Sequence, residues 1–295
     1  MTFRGDANFD TSAVSQGGGG GGIGGGAIAV GGGGIVTVIL VIVSMIFGVD
    51  LTGLAPGAPI QPEQQQSQGS EVTGCTGEEA NDPANVVCRM EGGADSMSRF
   101  WTATMQANDL EYADPSVQLF DRQVSTGCGS ATSAVGPFYC PPDQKVYIDL
   151  AFYRELRERF RAPGDFAQAY VIAHEVGHHV QNQLGIMQKL QSLQGRVSRQ
   201  EFNQASVRVE LQADCFAGVW AHHAGNANLL DPGDVEEGLT AASAIGDDRI
   251  QKQTKGMVVP ESFTHGSSAQ RVRWFKRGMQ TGRMQDCDTF NTRVL

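Results

Sequence analysis

Between Asp165 and Gly185 the chain has no proline and carries apolar residues at Phe166, Tyr170, Val171 and Ile172, so the stretch reads as one helix. Within it lies His174-Glu175-Val176-Gly177-His178. Residues four apart share a helix face, so the two imidazoles project side by side. At that spacing they can bind one Zn²⁺, each at about 2.0–2.1 Å. Glu175, about 100° further round, can reach a water beside the cation without displacing it. A solvated helix with two surface histidines is the alternative. The apolar flanks count against it, because a buried, unpaired His-Glu-His cluster is costly. Gly177 costs roughly 1 kcal/mol relative to Ala inside a helix, which predicts that another element packs against it. Gly185 supplies the expected stop.

Zinc used in catalysis keeps three protein ligands and one open position. The best third ligand is Glu210, within Val209-Glu210-Leu211-Gln212-Ala213-Asp214, where Ala213, Ala217 and Gly218 would let a second helix approach the first. Glu210 and Asp214 are four apart and face the same way. That suits a ligand beside an acceptor that takes the other N–H of a ligand histidine. An acidic helix face paired with Arg208 is the rival. For an oxyanion donor, His265 is favoured and Arg271 is second, against a plain surface-loop histidine. His179 points off the ligand face, and His222 and His223 read as surface residues.

The net charge of -10 argues against a nucleic-acid partner, since phosphate binding needs clustered Lys and Arg. Six cysteines (Cys75, Cys88, Cys128, Cys140, Cys215, Cys287) contain no Cys-x-x-Cys pair. A disulfide framework in an oxidising compartment is therefore favoured over a metal ribbon, with reduced buried thiols as the alternative. Nearest-neighbour pairing suggests Cys75–Cys88, Cys128–Cys140 and Cys215–Cys287, one of about 15 connectivities.

No charge occurs between Asp10 and Asp50, and Ile35 to Phe47 is densely apolar. From Ala27 to Val49 the segment is long enough for a membrane span, which needs about 20 residues. A secretory signal and a buried soluble element are the rivals; no basic region leads into the run, which favours an uncleaved anchor. The expected order is a flexible glycine-rich tail over 1–34, the anchor core over 35–49 (span about 27–49), a flexible linker over 50–74 and a metal-binding domain over 75–295. The cysteines place that domain outside the cytoplasm, on the periplasmic or extracellular side of a bacterial cell membrane, as a single-pass protein.

The expected fold class is α+β, mostly helical, with a small antiparallel sheet. Helices are expected over Ser96–Asn108, Ala151–Arg161, Asp165–Gly185 with Asp165 as cap, Ser198–Ala224 with a Ser198/Glu201 capping box, Asp231–Ile245 with Asp231 as cap, and from Ser267 or Ser268 onward. Strands are expected at Val117–Phe120, Phe138–Cys140 and Lys145–Asp149, the last two joined by a turn at Pro141-Pro142-Asp143-Gln144. Such a sheet could offer an edge to an extended peptide, or be a plain structural hairpin.

Together, His174-Glu175-x-x-His178, Glu210-x-x-x-Asp214, the run Ala241-Ala242-Ser243-Ala244-Ile245-Gly246-Asp247-Asp248 and Thr264-His265 resemble the bacterial "putative neutral zinc metallopeptidase" family. The first two look like the gluzincin pattern, in which the glutamate is the third zinc ligand and the later aspartate supports a histidine. The run from Thr264-His265 to Arg271-Val272 is similar to a His…Arg motif of membrane zinc endopeptidases that process prenylated proteins. Those carry several spans, whereas one is evident here. The resemblance implies a peptidase; with the residues read above, the expectation is a membrane-anchored enzyme with one Zn²⁺ per chain, Glu175 as general base and a peptide or protein as substrate. A zinc-stabilised binding or scaffold protein without turnover is the first rival, and a metal-free interaction domain the second. Oligomeric state is not legible in the residues.

Overall fold

Two long helices, α4 (Asp165–Gln183) and α6 (Arg199–Asn226), cross where small residues let their backbones meet. A Cβ on Gly177 would sit 3.0 Å from the carbonyl oxygen of Ala213, the close approach that a glycine in mid-helix predicts. Gly218 serves a different neighbour from the one expected. It faces α9 (Ser268–Thr281) rather than α4, and a Cβ there would lie 2.1 Å from the Phe275 carbonyl oxygen. Gly278 repays the contact from the other side, 1.9 Å from the carbonyl oxygen of Cys215. With α7 (Asp234–Ala244) packed against both α4 and α9, these helices surround a core that includes Phe166, Trp220 and Phe275.

The computed structural model describes residues 1–9, 14–16 and 74–295. The expected anchor over 27–49 and most of the linker lie outside these residues. Among the described residues no helix is long and apolar enough to cross a membrane.

The helix ends show which caps are local. Ser198 and Ser267 form capping boxes with Glu201 and Gln270. Asp165 and Asp231 do not cap: Gly164 and Gly233, at φ 122° and 106°, hold those positions. The reason is tertiary. Asp165, Asp231 and Asp234 turn instead to the Met1 ammonium at 2.9, 3.2 and 2.8 Å. The first turn of α4 is capped from α7, where Glu237 accepts the Phe166 N–H at 3.1 Å. The helix α2 (Val86–Gln106) starts ten residues before the expected Ser96, capped by Asn85, and runs through Gly92 and Gly93. Helix α3 (Leu150–Glu158) starts from an Asp149 cap. Three helices were not foreseen: α1 (Gly77–Asn81), α5 (Ile186–Leu193) and α8 (Asp247–Lys255).

The sheet is mixed, which corrects the antiparallel expectation. Strands β1 (Val14–Gln16), β2 (Ser116–Phe120), β5 (Phe138–Cys140) and β6 (Lys145–Asp149) lie in the order β1-β2-β6-β5. Only β5–β6 is antiparallel, across the expected Pro141–Gln144 turn; β2 runs parallel to both β1 and β6. A separate hairpin of β3 (Gln123–Thr126) and β4 (Gly129–Thr132) carries the chain away between β2 and β5, so β6 can return beside β2 in the same direction. The three disulfides are Cys75–Cys88, Cys128–Cys140 and Cys215–Cys287, with Cα separations of 5.4, 5.8 and 5.6 Å.

Residues 1–9, expected as part of a flexible tail, are instead packed. Met1 and Phe3 are 5% and 4% exposed, and Asn8 bridges Thr76. A Cβ on Gly92 would touch the Phe3 ring at 2.8 Å, which explains a glycine inside α2. Next to it Glu91 is fully buried. Burial pushes its carboxyl up to about 7, against the Cys75 backbone amide and with the help of the Glu79 charge.

Two outcomes follow from this packing. Gly218→Ala should lower stability by about 1–3 kcal/mol, as overpacking against backbone does. Gly93→Ala, with nothing within 4 Å of its Cβ, should be neutral or stabilising by chemical denaturation. Because the folded state holds Glu91 protonated, its contribution is present below about pH 4.5 and is lost as pH rises through about 7. The urea midpoint of the wild type should therefore fall more between pH 5 and 8 than that of Glu91→Gln. Equal falls would show that Glu91 is not the titrating group.

Candidate metal centre

One face of α4 carries His174 and His178 with ring centroids 4.7 Å apart. The crossing at Gly177 and Ala213 brings α6 over them and delivers Glu210, one turn before Asp214. Glu210 Oε2 is 3.2 Å from His174 Nε2, and Oε1 is 3.6 Å from His178 Nε2. All three ligand atoms lie within 4.8 Å of one another. Donors held about 2.0–2.2 Å from one cation at tetrahedral angles are roughly 3.3–3.6 Å apart, so the two separations from Glu210 fit a zinc ion. The donor chemistry fits too, as two imidazoles and a carboxylate. Arg208, the rival partner for Glu210, turns away and donates to the carbonyls of Thr289 and Thr292.

The outer nitrogens of both imidazoles are already engaged. His174 Nδ1–H donates to Asp214 Oδ1 at 2.9 Å, and His178 Nδ1–H donates to Gln181 Oε1 at 2.8 Å. Those bonds turn both Nε2 atoms to the Glu210 side, where a bound cation would displace any proton they carry. Burial lowers the pKa of His174, but the Asp214 charge and hydrogen bond outweigh it and raise it to about 9. Burial raises Glu210, yet the His178 and His265 charges hold it well below the usual carboxylate range.

Asp214 is fully buried and heavily supported. Tyr170 donates its hydroxyl to Oδ1 at 2.5 Å, and Arg271 donates through Nε and a terminal nitrogen at 2.8 Å each. Burial pushes its pKa up, but the Arg271 and His174 charges bring it down to about 2. Arg271 is therefore committed to Asp214 by a bidentate pair. That corrects its place as second candidate for an oxyanion donor.

Glu175 and His265 open onto the same cleft of about 250 Å³, beside His174, His178 and Glu210. His265 is not a surface-loop residue: its side chain is 14% exposed. Asp247, at the start of α8, holds it. Asp247 Oδ2 accepts the backbone N–H groups of Thr264, His265 and Gly266 at 2.7, 2.7 and 3.1 Å, while Oδ1 accepts from His265 Nδ1 at 3.2 Å. Burial lowers the His265 pKa, and the Glu210 and Asp247 charges raise it above its usual value.

Residue spacing missed Asp247, because no local rule links it to a loop 18 positions away. Tyr170 and Gln181, four before His174 and three after His178, were legible in principle from helix periodicity. His179 lies off the ligand face, as expected, and is buried. It donates from Nε2 to the Ala113 carbonyl at 2.6 Å and accepts from the Tyr139 hydroxyl at 3.0 Å, which pins β5 to the back of α4. His222 and His223 accept no metal role; they bond to the carbonyls of Met279 and Gly282. Gly136, Phe138 and Tyr139 also border the cleft, and β5 has no strand on its outer side among the described residues.

If Asp214 orients His174, Asp214→Asn should weaken zinc binding by about 10–100-fold, the usual cost of losing such a partner. Competition with a chelator would measure it; unchanged affinity in a folded variant would exclude that role.

Comparisons with known proteins show the family. The family described as "Putative neutral zinc metallopeptidase" matches residues 2–290. "Uncharacterized protein YpfJ" of Escherichia coli (strain K12) is 47% identical over 253 residues, 86% of this chain and 85% of that relative. "Uncharacterized protein Rv2575" of Mycobacterium tuberculosis (strain ATCC 25618 / H37Rv) is 42% identical over 265 residues, 85% of this chain and 86% of that relative. No solved structure matches. The chain belongs to the "putative neutral zinc metallopeptidase" family.

Proposed function

We propose that this protein hydrolyses peptide bonds with one zinc ion held by His174, His178 and Glu210. The observation that carries the reading is the position of Glu175. Its carboxylate shares the cleft with the three converging ligand atoms, yet belongs to none of the hydrogen-bonded networks that hold them. A purely structural zinc site closes its fourth position and has no use for a free base there. That argues against the rival reading, a zinc-stabilised scaffold without turnover.

When bound, zinc supplies Lewis-acid polarisation of the scissile carbonyl and acidifies water toward a pKa of about 7. The chain supplies the rest. Glu175 takes the proton of the attacking water and passes it to the leaving amine. His265, held by Asp247, donates from Nε2 to the oxygen on which negative charge develops. Asp214, Tyr170 and Arg271 keep the His174 ring fixed while this happens. An extended peptide fits along the outer side of β5 by strand addition, with Phe138, Phe152, Phe160 and Val171 presenting an apolar wall beside it. The three disulfides support a site outside the cytoplasm. The apolar stretch over 27–49 is the part of the chain suited to membrane attachment.

Glu175→Gln should keep zinc near one equivalent per chain and lose most cleavage, by a factor of about 10²–10⁴ for a general base. Metal analysis with cleavage-site profiling of a proteome-derived peptide mixture measures both. Full cleavage by this variant would overturn the assigned base, and absence of zinc from the wild type would overturn the metal centre.

A further inference from the structure

The N-terminal arm and the metal-binding domain are one packed body. Phe3 N–H donates to Asn81 Oδ1 and Asn81 Nδ2 donates to the Phe3 carbonyl, each at 2.8 Å. Gly77 N–H donates to the Ala7 carbonyl at 2.8 Å, Phe9 N–H to the Cys75 carbonyl at 3.2 Å, and Thr2 N–H to the Leu229 carbonyl at 3.0 Å. The Phe3 and Phe9 rings meet edge to face at 5.1 Å over Gly92 of α2. Further on, Val14 enters the sheet opposite Val117 of β2 and is 5% exposed. These contacts reach four separate parts of the domain: α1, α2, the turn before α7, and the sheet.

Between the arm and the domain lies the apolar stretch over 27–49. A stretch of 23 residues has the length for one membrane crossing, since each crossing needs about 20. A single crossing would separate the arm from everything it touches. The buried Met1 and Phe3 side chains would then open to water: Phe3 would leave a hole over Gly92, Asn81 would lose both partners, and β2 would become an exposed edge. No residue of the arm borders the cleft, so its packing is a fastening and not a plug in the site.

We infer that residues 1–9 and the metal centre lie on the same side of any membrane to which the chain is attached, docked on each other. The single-pass arrangement expected from the sequence, with the arm and the domain on opposite sides, is the rival arrangement. The inference rests on the proposed extracytoplasmic site only for which side that is.

The test uses the full chain in a bacterial membrane, with a cysteine placed on the arm by Asp6→Cys or on the domain by Arg157→Cys. Both positions are solvent-facing, with side chains 74% and 62% exposed, and the six native cysteines are silent because they are paired. A membrane-impermeant maleimide is added to spheroplasts before or after lysis. The expected result is that both variants label before lysis to the same extent. Labelling of one only after lysis while the other labels before would overturn the inference. If both label only after lysis, the shared side stands and the proposed extracytoplasmic placement fails. Labelling of each after lysis confirms that both thiols are reactive.

Discussion

Asp214 is the charge on which this site depends. It sits fully buried on α6, and its two oxygens gather Tyr170 and His174 from α4 and Arg271 from α9. A buried carboxylate survives only when its lone pairs are filled and a counter-charge is close. Here Arg271 meets both needs with a bidentate pair, and the remaining capacity is spent on orienting a ligand histidine. One residue thereby ties three helices together and sets the direction of His174 Nε2. The same arrangement explains why Arg271, polar and at the cleft, is not free to meet a substrate.

Such a network demands close helices, and glycine provides them. Gly177 admits Ala213, and Gly218 and Gly278 admit each other's helix backbones. A methyl group at the last two would push α6 and α9 apart and lengthen the Arg271–Asp214 bonds first. Packing and electrostatics are thus one constraint, since charge-assisted bonds of 2.8 Å tolerate little displacement. A second carboxylate, Asp247, does for His265 what Asp214 does for His174. It gathers three successive backbone amides, so that a loop residue is held as firmly as a helical one.

Much of this was legible from residues alone. The helix over Asp165–Gln183, the capping box at Ser198, the β5–β6 turn and the Cys75–Cys88 and Cys128–Cys140 pairings all follow from patterns within short stretches, and Cys215–Cys287 is the pair those two leave. The misses share a cause. Asp165 and Asp231 have the chemistry of caps, but the Met1 ammonium competes for them. Gly92 and Gly93 look like helix breakers until Phe3 is seen resting on the first of them. The parallel pairing of β2 with β6 depends on a hairpin detour whose length carries no directional signal.

What the sequence by itself determined is the pair of imidazoles and the base between them, because a fixed 3.6-residue turn places His174, Glu175 and His178 whatever surrounds them. It also determined that Glu210 and Asp214 share a face. Only the tertiary structure decided that these two faces meet, that His265 enters the same cleft under the hold of Asp247, and that residues 1–9 belong to the folded body. The reason is physical: periodicity acts over one or two turns, whereas those contacts join residues 18 to 229 positions apart and form only when distant surfaces are buried together.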